Sequence, residues 1–241
     1  MNEYSSKGKD NQLIFSEKAN RYYSWIYEEI KPFIKGNILE IGSGLGNLSK
    51  ILISQNKNNE IILSDTDKSF LEILSQEYKS FNNVHVKDYD LDNVSNHWHR
   101  DLKIDTCIAI NVLEHIEYDI KAVRNIYNIL NKNGHLILLV PAHKHLYNII
   151  DKSVGHFRRY NKKDTDRILN NSNFKLVKMH YFNFVAIFGW IINGLILKKS
   201  VINESFLGFY NLLVPFLKIF EKYILFKKLG MSLIIILKKE N

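Results

Sequence analysis

Between residues 40 and 46 the chain reads Glu40-x-Gly42-x-Gly44-x-Gly46, and its flanks decide what this run can be. Before it stands Asn37-Ile38-Leu39-Glu40-Ile41, short and apolar enough for a buried strand; after it, Asn47 to Ser54 opens a helix. Glycines at a strand-to-helix turn let the backbone bend tightly and approach a ligand, and the helix N-terminus beyond offers free N–H groups. The spacing departs from the dinucleotide pattern G-x-G-x-x-G, because the third glycine arrives one residue early. Glu40 also selects among ligands. A carboxylate there favours a cationic ligand, such as a sulfonium carrying an α-amino group, and repels a pyrophosphate.

Strands and helices keep alternating downstream. Glu60 to Ser64 reads as a strand, Lys68 to Lys79 as a helix, and Val84 to Val86 and Ile104 to Ile110 as strands. Ile120 to Leu130 reads as a helix stopped by Asn133-Gly134, and His135 to Val140 as a strand ended by Pro141. This alternation predicts an α/β fold with a parallel sheet covered on both faces. Asn161, with Asp164 three places on, predicts a capped helix through about Leu169. Phe174 to His180 and Ser232 to Leu237 are late strands separated by an insertion, which suits an antiparallel edge. The 241 residues read as a single domain. Residues 1–36 form a helical N-terminal part, with an amphipathic helix from Phe15 to Ile34; 37–180 form the core, 181–229 an apolar helical insertion, and 230–241 the last strand.

Within the insertion, Phe184 to Leu197 is apolar on nearly every side. In the helix that follows, Glu204, Gly208, Asn211, Pro215, Lys218 and Lys222 form one narrow polar stripe, and so wide an apolar face has to be covered by protein or lipid. The run from Tyr181 to Leu197 falls short of the roughly 20 apolar residues of a membrane span, and Asn183 and Asn193 interrupt it. Of the net charge of +8, ten lysines against three glutamates lie from Lys175 onward. Basic and apolar surface together point to an anionic membrane or an anionic substrate, with no nucleic-acid motif in view; a plain solvated lysine face is the alternative. The single cysteine, Cys107, excludes an internal disulfide and fits a reducing compartment. No apolar h-region precedes Gly36, so the expected location is cytoplasmic, with peripheral contact at the inner face of the membrane as a further expectation.

Asp65 ends the second strand, where an acid can accept both ribose hydroxyls; Asp67 is its competitor. Asp90-Leu91 follows the third strand, where an acid and a backbone N–H can read an adenine edge, with Asp88 as the alternative. Asn111 tips the fourth strand, beside Val112-Leu113-Glu114-His115. The ordered set Ile38-Leu39-Glu40-Ile41-Gly42-Ser43-Gly44-Leu45-Gly46, Asp65, Asp90, Asn111-Val112-Leu113-Glu114-His115-Ile116 and Asn133-Gly134-His135-Leu136-Ile137 resembles class I S-adenosylmethionine-dependent methyltransferases over roughly residues 38–140. The family usually has Pro-Gly-Gly where this chain has Lys132-Asn133-Gly134. Outside the core, Tyr22-x-x-Trp25, Val140-Pro141-Ala142, Asp151, Gly155-His156-x-Arg158-Arg159-Tyr160 and Gly230-x-Ser232-Leu233-Ile234 are similar to a bacterial subgroup associated with glycosyltransferases and with cell-envelope or natural-product pathways. The resemblance implies a Rossmann-like three-layer sandwich around a mostly parallel seven-stranded sheet with an antiparallel edge. It implies S-adenosyl-L-methionine as cofactor, leaving as S-adenosyl-L-homocysteine. The implied cofactor residues are Glu40, Gly42, Ser43, Gly44, Asp65, Asp90, Leu91 and Asn111, with Tyr22 and Trp25 from the N-terminal helix.

Methyl transfer is an in-line displacement, so the protein must align acceptor and methyl group, exclude water and deal with a proton when the acceptor is a hydroxyl. Asn111 to His115 and the polar stretch 142–160 leave from the strand ends where an acceptor would sit. His156 is the first choice for general base and His143 the second; an orienting role for His156 is the alternative. Arg158, Arg159, Tyr160 and Tyr147 are candidate acceptor-binding residues; equally, one arginine pairs with Asp151 or Glu114 to hold the loop shut. A metal reading of His143-x-His145 with His156 lacks a second cluster of ligands, and no metal is expected. The leading expectation is O-methylation of a small-molecule, sugar or lipid-linked hydroxyl. The alternatives are C-methylation of a quinone or prenyl-type acceptor, and a membrane-associated module that binds the cofactor without turnover.

Overall fold

All four residues of β1 (Ile38–Ile41) are buried, which a strand achieves only when both faces of its sheet are covered. The computed structural model describes residues 20–91, 103–199, 204–223 and 227–240, with the side chains of 204–207 outside that description. Helix α1 (Asn20–Ile30) precedes β1; the expected start of this helix, 15–19, lies outside the described residues. After β1 come α2 (Asn47–Gln55), β2 (Ile61–Asp65), α3 (Lys68–Glu77), β3 (Val84–Asp88), β4 (Ile104–Ile110), α4 (Asp119–Ile129) and β5 (Leu130–Pro141). Then follow the short α5 (Ile149–Ser153), α6 (Lys162–Ser172), β6 (Phe174–Phe182), α7 (Ala186–Trp190) running into a π-helical turn (Ile191–Ile196), α8 (Glu204–Tyr223) and β7 (Ser232–Lys239).

The seven strands lie in the order β3-β2-β1-β4-β5-β7-β6. Strands β1 to β5 pair in parallel, and β7 runs antiparallel to both β5 and β6. This is a Rossmann-like α/β sandwich whose antiparallel strand sits one place in from the edge. Alternation along each strand sends side chains to opposite faces. Leu39, Ile41 and Cys107 meet Val123 and Ile126 of α4 and Ile168 of α6. Ile38, Ile61 and Ile108 meet Trp25 and Ile26 of α1, Leu48 and Leu52 of α2, and Tyr210 and Val214 of α8.

Two local features differ from the sequence expectation. Asn133-Gly134 does not stop α4, which ends at Ile129 and passes directly into β5. Pairing instead skips from Ile104–Leu130 to Thr106–His135, so 131–134 bulge out, with Asn133 at φ 61° and the Asn131 amide on the Asp105 carboxylate. The 142–160 stretch is not plain loop. It holds α5, begun by a capping box between Asn148 and Asp151, and the expected Asn161–Asp164 box opens α6.

The insertion packs on the same face as α1. Helix α8 divides its two sides in a way that periodicity leaves open. Part of its polar stripe faces protein: Asn211 accepts the Arg21 N–H, and Lys218 pairs with Glu28. Phe209, Leu212, Phe216, Ile219 and Tyr223 face outward instead, Phe216 being 72% exposed. Among the described residues, no helix is long and apolar enough to cross a membrane.

Asp119, at the first turn of α4, ties that helix to α6. It accepts from both Arg167 Nη atoms (3.1 and 2.6 Å) and from the Tyr160 hydroxyl (3.2 Å), with Arg158 Nη1 at 3.2 Å. These cations hold its carboxyl below the ordinary range despite burial. Because Arg167 is 41% exposed, solvent screening limits its share. Asp119→Ala is expected to lower stability by about 1–3 kcal/mol, read as a urea midpoint shifted without change of slope.

Candidate active site

Above the carboxyl ends of β1 and β4 lies a cavity of about 350 Å3. Its floor is the glycine turn, Gly42 to Leu45, with Glu40 beneath. Gly42 sits at φ 70°, and a β-carbon there would lie 2.5 Å from Val112 Cγ2, so glycine is required twice over. Gly44, at φ 53°, has nothing within 4 Å of where a β-carbon would stand, so its bare backbone opens onto free space. Its N–H donates to Asp65 Oδ2 (2.8 Å), while Oδ1 accepts from Asp67 N–H (2.9 Å). The carboxylate at the end of β2 thereby fixes the turn. Asp67, the competitor, caps α3 through Ser69.

Glu40 is buried and accepts the Ser49 hydroxyl at 2.5 Å, while its carbonyl accepts the Ser64 hydroxyl at 2.9 Å. Burial pushes its carboxyl up to about 7; the Ser49 and Ser43 hydrogen bonds oppose this, and Asp65 adds to it. Tyr22 and Asn111 also line the cavity, Asn111 at φ 54°. Trp25 does not: it is core, packed on Phe182 with ring centres 4.4 Å apart. Asp90 is exposed, and Leu91 is buried with its carbonyl on Asn125. Neither lines this cavity, and the chain beyond them, 92–102, lies outside the described residues.

The opposite wall comes from the 142–160 segment. Asp151 is fully buried and accepts from His156 Nδ1 (2.9 Å), from Arg159 Nε (2.9 Å to each oxygen) and from the Asn148 N–H (3.0 Å). These partners hold its carboxyl below the usual range against burial. His156 and Arg159 both line the cavity. Arg159 Nη1 donates to the Ala142 carbonyl, its guanidinium lies 4.5 Å from the Trp190 ring centre, and its buried Nη2 has no partner. His156 Nε2 lies 3.8 Å from Oε1 of Glu114, whose two buried oxygens have no hydrogen bond. Burial pushes the Glu114 carboxyl up to about 7, against the pull of His156 and Arg159.

The remaining candidates are engaged in structure and do not line the cavity. His143, at φ 62°, bonds the Gly230 carbonyl through Nε2 and stacks on Tyr181. Arg158 donates to the carbonyls of Ile116 and Glu117; the Tyr160 hydroxyl donates to the Leu113 carbonyl and to Asp119; the Tyr147 hydroxyl donates to the His156 carbonyl. The structure brings in further residues that sequence reasoning does not single out. Tyr23, Asn183, Trp190 and Tyr210 line the cavity. Asn183 stands at φ 66°, accepts the Tyr210 hydroxyl at 2.6 Å, and is anchored by its N–H to buried Glu221. A polar residue opening an otherwise apolar run is the signal that could have found it.

A family model described as a methyltransferase domain matches residues 39–136. The chain is 29% identical to Probable polyketide synthase 42 of Dictyostelium discoideum over 157 residues, 56% of this chain and 6% of that protein. It is 34% identical to Ribosomal RNA small subunit methyltransferase A of Malacoplasma penetrans over 93 residues, 35% of this chain and 33% of that one. The chain thus spans only a small part of the curated relatives it matches. Coclaurine N-methyltransferase bound to N-methylheliamine and SAH superposes with a TM-score of 0.59 at 16% identity, covering 90% of this chain and 72% of that one. The CMeT domain of the citrinin polyketide synthase gives 0.55 at 14%, covering 86% and 47%. The [4+2]-cyclase SpnF gives 0.58 at 14%, covering 92% and 81%. At these identities the solved structures establish the fold alone. With the domain match, residues 39–136 carry a methyltransferase domain within a class I fold, and S-adenosylmethionine is the cofactor of that domain.

Two outcomes are expected at the cofactor end. A ligand with an α-ammonium group favours ionised Glu40, which without ligand is half-protonated near pH 7. Affinity for S-adenosylhomocysteine should therefore rise from pH 6 to 8 with proton release, measured by calorimetry in buffers of different ionisation enthalpy; Glu40→Gln should flatten the profile. Asp65→Ala, which frees the glycine turn and removes the expected ribose acceptor, should weaken the same affinity by about 1.5–3 kcal/mol. Wild-type affinity in Asp65→Ala would remove that residue from the site.

Proposed function

We propose that this protein transfers the methyl group of S-adenosylmethionine to a hydroxyl of an apolar or lipid-linked small molecule, working at an anionic membrane surface. The observation that carries the reading is the double-sided insertion. Ala186, Gly189, Trp190 and Asn193 face the cavity, whereas Phe188, Ile192, Leu195 and Ile196, from the same turns, are exposed. Phe209, Leu212, Phe216 and Ile219 of α8 are exposed as well, and Lys198, Lys199, Lys222 and Lys228 are spread along the same insertion. An apolar face with lysines beside it rests on anionic lipid at about 1 kcal/mol per lysine near the surface, and an acceptor dissolved there would meet the cavity along α7. Relatives and neighbours named as polyketide synthases and as a coclaurine N-methyltransferase agree with a small-molecule acceptor.

Glu40, Gly42, Ser43, Gly44, Asp65 and Asn111 would hold the cofactor, with Tyr22 at the same wall. His156 would deal with the acceptor's proton. Asp151 on Nδ1 fixes the ring so that Nε2 is the free nitrogen, the relation of base to orienting carboxylate that general-base catalysis uses. Arg159 Nη2, buried without a partner beside Trp190, would donate to an acceptor oxygen. The aromatic wall of Tyr22, Tyr23, Trp190 and Tyr210 also favours C-methylation of a flat, quinone-like acceptor, which needs surface more than a base.

In flotation with vesicles, binding should require anionic lipid and weaken with salt, and Phe216→Glu should abolish it without loss of cofactor affinity. Absence of binding at low salt would remove the membrane half of the reading. In His156→Ala, transfer to a hydroxyl acceptor should fall about 10²–10⁴-fold while S-adenosylhomocysteine affinity stays within a few-fold. An unchanged rate would place the proton transfer elsewhere or favour carbon as the acceptor atom.

A further inference from the structure

Glu114, His115 and His156 meet where the short helical turn after β4 faces the 142–160 segment, at the acceptor end of the cavity. One donor atom from each lies within 4.8 Å of the other two. The Glu114 side chain is 0% exposed, and neither carboxylate oxygen has a hydrogen-bond partner. A buried carboxylate left unbonded is costly unless something else satisfies it. His156 Nε2 stands 3.8 Å from it, and Arg159, which also acts on it, is engaged by Asp151. The two imidazoles stand edge to face with ring centres 4.6 Å apart. His156 Nδ1 is bonded by Asp151, the arrangement in which a carboxylate orients a metal-binding histidine and leaves Nε2 for the ion.

We propose that Glu114, His115 and His156 bind a divalent transition-metal ion of the Zn2+ or Mn2+ kind, with Asp151 orienting His156. This reverses the sequence expectation of no metal, which weighed His143-x-His145 with His156; His143 turns away to Gly230 and stacks on Tyr181. Two imidazoles and one carboxylate suit such ions better than Mg2+ or Ca2+, which prefer all-oxygen sites. With ligand bonds of about 2.1 Å, donors must stand roughly 3–3.4 Å apart, so the three side chains close inward on binding. His115 and His156 line the cavity while Glu114 lies behind them, so the remaining coordination position faces the acceptor space.

The use of the ion rests on the hydroxyl-acceptor reading above. A hydroxyl bound at the open position loses its proton to solvent near neutral pH, because the ion stabilises the oxyanion. That oxygen forms the bond to the methyl carbon as the carbon–sulfur bond breaks, its electron pair passing to sulfur and leaving the neutral thioether. The ion is not consumed, and His156 then acts as a ligand in place of direct proton capture.

Ion binding itself is measured without acceptor or methyl donor. Chelator-treated protein is titrated with Zn2+ and with Mn2+ by calorimetry, with nitrogen ligation read by pulsed electron paramagnetic resonance on the Mn2+ form. The expected result is one ion per chain with histidine nitrogen couplings, affinity falling at least 10-fold in Glu114→Gln and in His115→Ala, and no change in His145→Ala. Retained S-adenosylhomocysteine binding certifies that each variant is folded, and His115→Ala keeps the test valid if Glu114→Gln is not. No ion bound below about 1 mM, or equal affinity in wild type and folded His115→Ala, overturns the site. Ion binding with no effect of ion removal on methyl transfer would keep the site and reject the hydroxyl chemistry.

Discussion

The buried carboxylate of Asp151 is the point on which this candidate site depends. It accepts the N–H of Asn148, the N-cap of α5, the Nε–H of a fully buried arginine and one nitrogen of His156, so three pieces of backbone are set by one side chain. Burying such a pair is expensive, and removing one partner of a buried ion pair typically costs about 3–5 kcal/mol. The return is geometric. Arg159 is carried over Trp190, its Nη1 closes on the Ala142 carbonyl at the end of β5, and His156 is left with Nε2 toward Glu114. The second half of the cavity is therefore a product of electrostatics, whereas the first half, the glycine turn, is a product of backbone sterics.

That division explains which parts of the site are legible in the amino-acid sequence. Gly42 and Gly44 follow a strand and open a helix, and their positive φ angles are local properties that a local pattern can announce. Asp65 is readable for the same reason: it ends β2, and parallel pairing with β1 brings it to Gly44. The Asn161–Asp164 capping box likewise depends on residues three apart. The 142–160 segment offers the right residue types without their assignments. Arg158 and Arg159 are adjacent, yet one serves the carbonyls of Ile116 and Glu117 while the other reaches Asp151, and only the turn of the backbone between them decides which. Tyr160 and His143 are attractive on chemistry but are claimed by Asp119 and Gly230, partners 41 and 87 residues away.

The insertion shows a different limit. Periodicity locates the polar stripe of α8 but cannot say which side faces protein. Ordinary amphipathic logic assigns the apolar side inward. Here Arg21 and Glu28 on α1 supply polar partners for Asn211 and Lys218, and the buried Glu221 accepts backbone N–H groups from Asn183 and Phe184. With those contacts satisfied inside, the broad apolar face is turned out. A surface that large is ordinarily covered by protein or lipid, since monomeric soluble proteins seldom leave it exposed.

These two parts of the molecule meet at Asn183. Its position at φ 66° turns the chain from β6 into α7, its side-chain oxygen takes the Tyr210 hydroxyl of α8, and its N–H is held by Glu221. Glu221 in turn has its carboxyl pushed up to about 7, first by burial, with its two backbone hydrogen bonds opposing and Glu29 adding to the rise. Its folded value stands above that of an exposed glutamate, so its contribution to stability is complete below about pH 4.5 and declines as pH rises through 7. Loosening Glu221 would act on one residue that both lines the cavity and starts the helix whose other face is exposed. The wall of the cavity and the outward apolar surface are therefore mechanically one element, and whatever covers the outside of α7 and α8 also bears on the shape of the cavity.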